Sequence, residues 1–146
     1  MSKYFILAIV SFVLASVSAK ANEHMLSVEK VALQVDEVSL QGMQFAFDNE
    51  AKVKPKDSDF NVVNAVHMSS EQGSRVAVVT IRNDASGSRI LESDHIMALF
   101  ADGSRRSPFS FPDAIKLDDG EQRSFTLSFG ESNYPLLTIY TSNNLK

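Results

Sequence analysis

Residues 75–82 read RVAVVTIR and residues 123–129 read RSFTLSF, and these two stretches decide the fold class. Between its two arginines the first stretch is almost continuously apolar, which is typical of a central strand covered on both faces. In the second stretch Phe125, Leu127 and Phe129 alternate with polar residues, and this period of two predicts a strand with one buried face. Together the two stretches favour an all-β protein.

Strand signals extend along the rest of the chain. Short apolar stretches bounded by turn residues recur at 29–40, 59–68, 90–100 and 134–141. The prolines in 108–112 restrict that segment to short, irregular edge structure, and the only helical signal, over 111–116, is weak. About seven or eight short strands, with turns every 8 to 12 residues or so, predict an immunoglobulin-like antiparallel β-sandwich.

Finer features follow from the same alternation. In the stretch 59–68 the pattern predicts that four apolar side chains point inward, namely Phe60, Val62, Val66 and Met68. The charged segment 48–58 contains Pro55 and is predicted to be an exposed loop.

The N-terminus has the order of a secretory signal peptide. A cationic start at 1–3 precedes an apolar run at 4–15 and small residues at 16–21, so cleavage is expected after Ala19 or Ala21. The apolar run is shorter than the roughly 20 residues that span a bilayer. We therefore expect a signal peptide over 1–21, a single β-sandwich domain over 22–146, and no stable membrane span after cleavage.

The amino-acid composition limits the cellular compartments and the classes of partner that are expected for this protein. The chain has no cysteine, so disulfides and thiolate metal sites are excluded. A small exported domain without disulfides is commoner in a bacterial periplasm than in eukaryotic secretion, which favours a periplasmic or secreted protein of a Gram-negative bacterium. Removing Lys3 and Lys20 from the 14 basic residues leaves 12 against 18 acidic ones. This acidic balance gives no electrostatic reason to bind nucleic acid.

The C-terminal half carries a family resemblance. The stretches VAVVTIRNDASGSRI, MALFADGSRRSP, IKLDDGEQRSFTLSFGES and PLLTIYTS resemble small exported bacterial immunoglobulin-like domains of unknown function. The matching features are a strand that ends in an asparagine, two Asp-Gly turns and a core phenylalanine. They correspond here to Asn83, Asp102-Gly103, Leu117, Asp119-Gly120-Glu121 and Phe129. The resemblance implies a fold and no activity, because function depends on sites rather than folds.

A copper site is an alternative suggested by His95 and Met97. If both residues lie on one strand, they share a face, and imidazole with thioether suits copper(I). The His-x-Met spacing resembles an element of periplasmic copper chaperones built on a β-sandwich, although the upstream ligands of that family are missing here. In the competing interpretation the methionine fills the core, the histidine lies at the surface or a strand end, and no cofactor is bound.

Catalytic and calcium motifs are incomplete. The pattern Asp57-x-Asp59-x-Asn61 starts like a calcium loop, but the required glycine and glutamate positions hold Val62 and Met68. The chain has no Gly-x-Ser-x-Gly elbow, no His-Glu-x-x-His motif and no thiol nucleophile. We expect that the protein is not an enzyme.

A binding surface is predicted in residues 104–112, which we call the Arg-Phe loop. It sets Arg105 and Arg106 beside Phe109 and Phe111 in an otherwise acidic chain, and arginine and aromatic residues are enriched in interface hot spots. A neighbouring edge strand could also accept a peptide strand. In the alternative, both phenylalanines plug the sandwich and the arginines pair with Glu92 or Asp102. The sequence thus predicts a non-catalytic binding module for a protein or peptide.

Overall fold

The computed structural model describes residues 32–36, 45–48 and 52–145, all within the compact unit Val31–Lys146. This part of the chain is all-β, and its only helices are two 3-10 turns, Ser93–His95 and Asn143–Leu145. The strands are β1 Gln34–Val35, β2 Phe60–Ser69, β3 Ser74–Asn83, β4 Arg89–Leu91, β5 Met97–Phe100, β6 Arg105–Arg106, β7 Ile115–Leu117, β8 Gln122–Glu131 and β9 Leu136–Tyr140. The predicted signal peptide lies outside the described residues. Among the described residues no helix has the length and apolar character needed to span a membrane.

The strands form antiparallel sheets, consistent with a β-sandwich. One sheet has the order β1-β2-β3-β8, a second has the order β6-β5-β9, and β4 pairs with β7. The main core draws on both larger sheets and on the β4–β7 pair; its largest buried side chains include Phe60, Ile81, Leu91, Phe100, Leu117, Leu127 and Phe129. A second, smaller cluster gathers Met97, Leu99 and Tyr140, with Phe45, Phe47 and Leu137 packed against it.

The two stretches that decide the fold class form the neighbouring strands β3 and β8. Their register sets Ala77 opposite Leu127 and Val79 opposite Phe125, so the inward side chains meet in pairs. The predicted central position of β3 is confirmed, since β2 and β8 flank it. Only one face of β3 is fully buried, however, because Val76 on the other face is half-buried.

Two local predictions were wrong. The stretch 90–100 does not form one strand, because the 3-10 turn Ser93–His95 separates β4 from β5 and sends them to different sheets. Val66 does not point inward: it is 39% exposed, because a bulge between Val62 and Asn64 reverses the facing of the rest of β2.

The predicted loop 48–58 is confirmed over its described part, since residues 52–58 form no strand and are mostly exposed.

Candidate interaction surface

The two arginines of the Arg-Phe loop form β6 and are held by neighbouring groups. Arg105 donates from Nε to the Tyr140 hydroxyl (3.1 Å) and from Nη1 to the Gly103 carbonyl (3.3 Å). The Arg106 guanidinium lies 4.7 Å from the centre of the Phe100 ring and donates to the Glu131 carbonyl (3.0 Å). Arg106 is exposed, yet these contacts fix its side chain. A partner that binds it therefore causes a smaller loss of side-chain entropy.

Asp102, one of the two carboxylates that the sequence suggested as a partner for the arginines, lines the same groove as Arg106. The Ser104 hydroxyl donates to its carboxylate (2.7 Å) and is the main reason why the pKa of Asp102 lies below its usual value. The charge of Arg106 adds a smaller lowering of this pKa. The other expected carboxylate, Glu92, is instead bound by Lys56.

The two phenylalanines of the Arg-Phe loop have opposite surroundings. Phe111 is partly buried against the core and packs on Phe125, with ring centres 6.0 Å apart. Phe109 is 86% exposed, the highest value among the large apolar side chains that the structure describes. Its backbone is fixed nonetheless, because the Phe109 N–H donates to the Ser128 carbonyl at 2.7 Å and Ser110 pairs with Ser128. An anchored backbone thus holds an apolar ring in solvent.

A shallow polar groove borders β6. Its volume is about 310 Å³, and its lining residues are Gln72, Asp102, Arg106, Glu131, Ser132, Asn133 and Tyr134. The lining carries both negative and positive side chains together with amide and hydroxyl groups. Such a groove can hydrogen-bond a polar segment but has little apolar surface with which to bury it.

The outer edge of β8 lies beside the Arg-Phe loop and was not identified in the sequence. Asn83 on β3 donates its N–H to the Glu121 carbonyl (3.0 Å), while the Ser128 carbonyl accepts from Phe109 on the opposite side. Since backbone groups alternate in direction along a strand, the N–H and C=O of Gln122, Ser124 and Thr126 also point away from β3. These three residues are exposed. Among the described residues, β8 is paired on this side only at Ser128.

The predicted pair His95 and Met97 does not share a strand. His95 ends the 3-10 turn Ser93–His95 and packs on Phe60, whereas Met97 opens β5 and belongs to the smaller cluster. The prediction that they face the same way on one strand is wrong, because the strand begins only after His95. The Nδ1 atom of His95 accepts the Glu92 N–H at 3.0 Å, so this nitrogen is already engaged.

The acidic residues at the 3-10 turn that ends in His95 form ion pairs with a lysine. Glu92, Asp94 and His95 offer ligand atoms within 4.8 Å of one another. The ammonium of Lys56 lies 2.5 Å from the Glu92 carboxylate and 3.6 Å from the Asp94 carboxylate. The hydrogen bond between Lys56 and Glu92 holds the pKa of Glu92 below its usual value. Burial is the main cause of the lowered pKa of His95. This cluster is an ion-pair network that fastens residue 56 to the 3-10 turn.

Comparisons with protein-family models, with curated protein sequences and with solved structures give no match.

Proposed function

We propose that this protein is a non-catalytic, exported interaction module of the immunoglobulin-like kind that binds a protein or peptide through its Arg-Phe loop. The observation that carries the proposal is the 86% exposure of Phe109 on a backbone anchored to β8. Burying a phenylalanine ring is favourable by roughly 1.5–3 kcal/mol. In the free protein that surface stays in water, where it contributes nothing to folding, whereas a partner that covers it gains this burial energy less the cost of association.

Anchoring makes the loop a better binding surface than a flexible one. Phe111 is fixed by Phe125, Arg106 by Phe100, and the backbone at Phe109 by Ser128. Fewer rotatable groups must be ordered on association, so more of the contact energy remains as affinity. The loop thus offers an aromatic anchor next to a stacked arginine, the two residue types most common in interface hot spots.

Export to the periplasm or the medium is part of the same proposal. It is supported by the order of charge, apolar run and small residues at 1–21 and by the absence of cysteine from the sequence. No metal cofactor is required for this role.

The test uses site-specific photocrosslinking in the cell that makes the protein. A photoreactive phenylalanine analogue replaces Phe109 in one variant and Ile90 in a control; Ile90 is also exposed, at 57%, but lies on β4. We expect one discrete crosslinked protein from position 109 and none from position 90. The captured protein is then purified and titrated with the Phe109→Ser and Ile90→Ser variants.

Support requires that Phe109→Ser weakens binding of the purified partner on the order of tenfold or more and that Ile90→Ser does not. Equal crosslinking at both positions, or equal binding by both variants, would remove the Arg-Phe loop from the interface and overturn the proposal.

A further inference from the structure

We propose that the partner segment binds as an added antiparallel strand on the outer edge of β8, along Gln122–Thr126. This inference rests on the proposed function, since it gives the backbone conformation and the residue pattern that the partner presents next to Phe109. The site consists mainly of backbone groups, and its ligand is an extended peptide segment.

Among the residues that the structure describes, no strand pairs with the outward half of the hydrogen-bond ladder along Gln122–Thr126. The N–H and C=O groups of Gln122, Ser124 and Thr126 point outward, as the Asn83 and Phe109 bonds on either side of β8 require. The three residues are spaced two apart, as the repeat of an antiparallel partner demands. An extended backbone laid along this edge can form two hydrogen bonds with each of them.

The Arg-Phe loop itself pairs with the outer edge of β8 at one residue, and the pairing ends there. Ser110 pairs antiparallel with Ser128, and the next outward-facing pair in that register would join residue 112 to Thr126. Residue 112 is Pro112, which has no N–H to donate, and the chain leaves to form β7 on another sheet. The edge therefore forms one antiparallel bridge at Ser128, and in the described part of the chain it is open beyond the point where the proline ends the pairing.

Side chains along the edge indicate what the added strand carries. A residue opposite Phe125 would lie on the same face of the sheet, next to the partly buried pair Phe111 and Phe125, and an apolar side chain fits there. A residue opposite Arg123 is favoured when it is acidic. Residues of the added strand that lie opposite Gln122, Ser124 and Thr126 are on the outer face of the sheet, where polar side chains are suitable.

The same pattern favours a foreign segment over a second copy of this chain. If two β8 strands paired about a two-fold axis at Ser124, Arg123 of one chain would lie opposite Phe125 of the other. The position that favours an apolar residue would then receive a guanidinium. We therefore assign the edge to a partner segment with the order polar, apolar, polar, acidic, polar.

The probe is a synthetic peptide with this order, acetyl-Ser-Thr-Val-Thr-Glu-Thr-Ser-amide, added to the ¹⁵N-labelled mature protein. We expect saturable shifts of the Ser124 and Thr126 amide resonances and slower hydrogen exchange at both amides. Methylating the backbone nitrogen of the central threonine, whose N–H faces β8, should weaken binding on the order of tenfold or more. Methylating the glutamate nitrogen, whose N–H faces away, is the matched control and should have little effect.

Two protein variants complete the test. Thr126→Pro removes an outward N–H without removing a bond to β3 and should abolish the peptide response; Thr126→Val keeps the N–H and should bind like the unmodified chain. Equal effects of the two methylated peptides, or binding by Thr126→Pro, would overturn the strand-addition site. If sedimentation shows that the protein dimerises through β8, the edge belongs to a second copy, and the assignment to a partner segment is wrong.

The test also separates this inference from the proposed function. If the protein crosslinked at position 109 binds Thr126→Pro and Thr126→Val equally, the Arg-Phe loop remains an interface while the β8 edge does not. If position 109 captures nothing, yet the peptide protects the Ser124 and Thr126 amides, the edge is a site and the loop is not.

Discussion

The four-stranded sheet has β8 at one end, and at its other end the two-residue strand β1 covers only part of β2. These two sides, the β8 edge and the β2 edge, differ in how their backbone groups are satisfied. On the β2 side the amide of Asn144 accepts the Val62 N–H (3.0 Å) and donates to the Val62 carbonyl (3.2 Å). Farther along, the Asp36 N–H donates to the His67 carbonyl, where β1 covers the strand. On the β8 side, among the residues that the structure describes, only Ser128 is paired.

The β2 edge carries the devices that proteins use to prevent strand addition. A side chain satisfies both backbone groups of Val62, a bulge follows at once, and the Thr141 hydroxyl donates to the Phe60 carbonyl. The β8 edge from Gln122 to Thr126 has no comparable cover in the described part of the chain. An edge that is left open in a molecule that blocks its other edge is a reason to test it as a binding site.

The largest expected effect comes from proline substitutions that probe the direction of the β8 backbone. Leu127→Pro removes a hydrogen bond to β3 and a buried side chain, so we expect it to lower the free energy of unfolding by about 3 kcal/mol or more. Thr126→Pro changes an outward N–H and should cost about 1 kcal/mol or less. Urea unfolding of both variants measures the difference. Equal losses would show that Thr126 does not face outward, and the contrast between the edges would no longer hold.

A smaller effect is expected from opening the blocked edge. Asn144→Ala leaves the Val62 N–H and C=O to water or to another strand and should lower the free energy of unfolding by about 1–2 kcal/mol. It should also cause concentration-dependent association, because an unprotected edge templates pairing. Sedimentation velocity checks the association. Asn143→Ala, in the same 3-10 turn, is the control and should stay monomeric; association of both variants alike would point to loss of the turn rather than to the exposed edge.

The β3–β8 pair could be predicted from the sequence because each strand is long and its periodicity is uninterrupted. The edges could not be predicted in this way. The bulge after Val62 has no local signal, and Asn144 reaches β2 from a distant part of the chain. Which strand lies at an edge depends on long-range pairing, and the one usable clue was Pro112, which ends the pairing of the Arg-Phe loop with β8.

The same long-range packing gives different surroundings to candidate site residues that are only two positions apart in the sequence. Phe109 and Phe111 are two positions apart, yet one is exposed and the other packs on Phe125. His95 and Met97 were expected on one strand face, but His95 ends a 3-10 turn, and the N–H of Glu92, just before that turn, donates to its imidazole. A spacing of two identifies a shared face only where the strand continues through both positions.

The smallest expected effect is a pH dependence that is confined to the β2 edge. Burial is the main cause of the lowered pKa of His67, and it outweighs the charge of Asp36, which follows β1, and the hydrogen bond to the Leu136 carbonyl on β9. Because the pKa is lower in the folded protein, His67 stabilises it fully above the unfolded pKa of about 6.5. That stability is lost as the pH falls from there toward the folded pKa. Amide exchange at Asp36, which donates to the His67 carbonyl, should accelerate relative to its intrinsic rate over this range.

Two controls isolate the contribution of His67. His67→Gln should remove the acceleration at Asp36, whereas His95→Gln, which replaces the other imidazole with a pKa lowered by burial, should leave it unchanged. The Phe125 amide is the internal reference, because β8 contains no histidine and its bonds to β3 should be insensitive to pH in this range. If Phe125 accelerated together with Asp36, the loss would be global. The pH would then act on the whole domain, and the two edges would not differ in their response to acid.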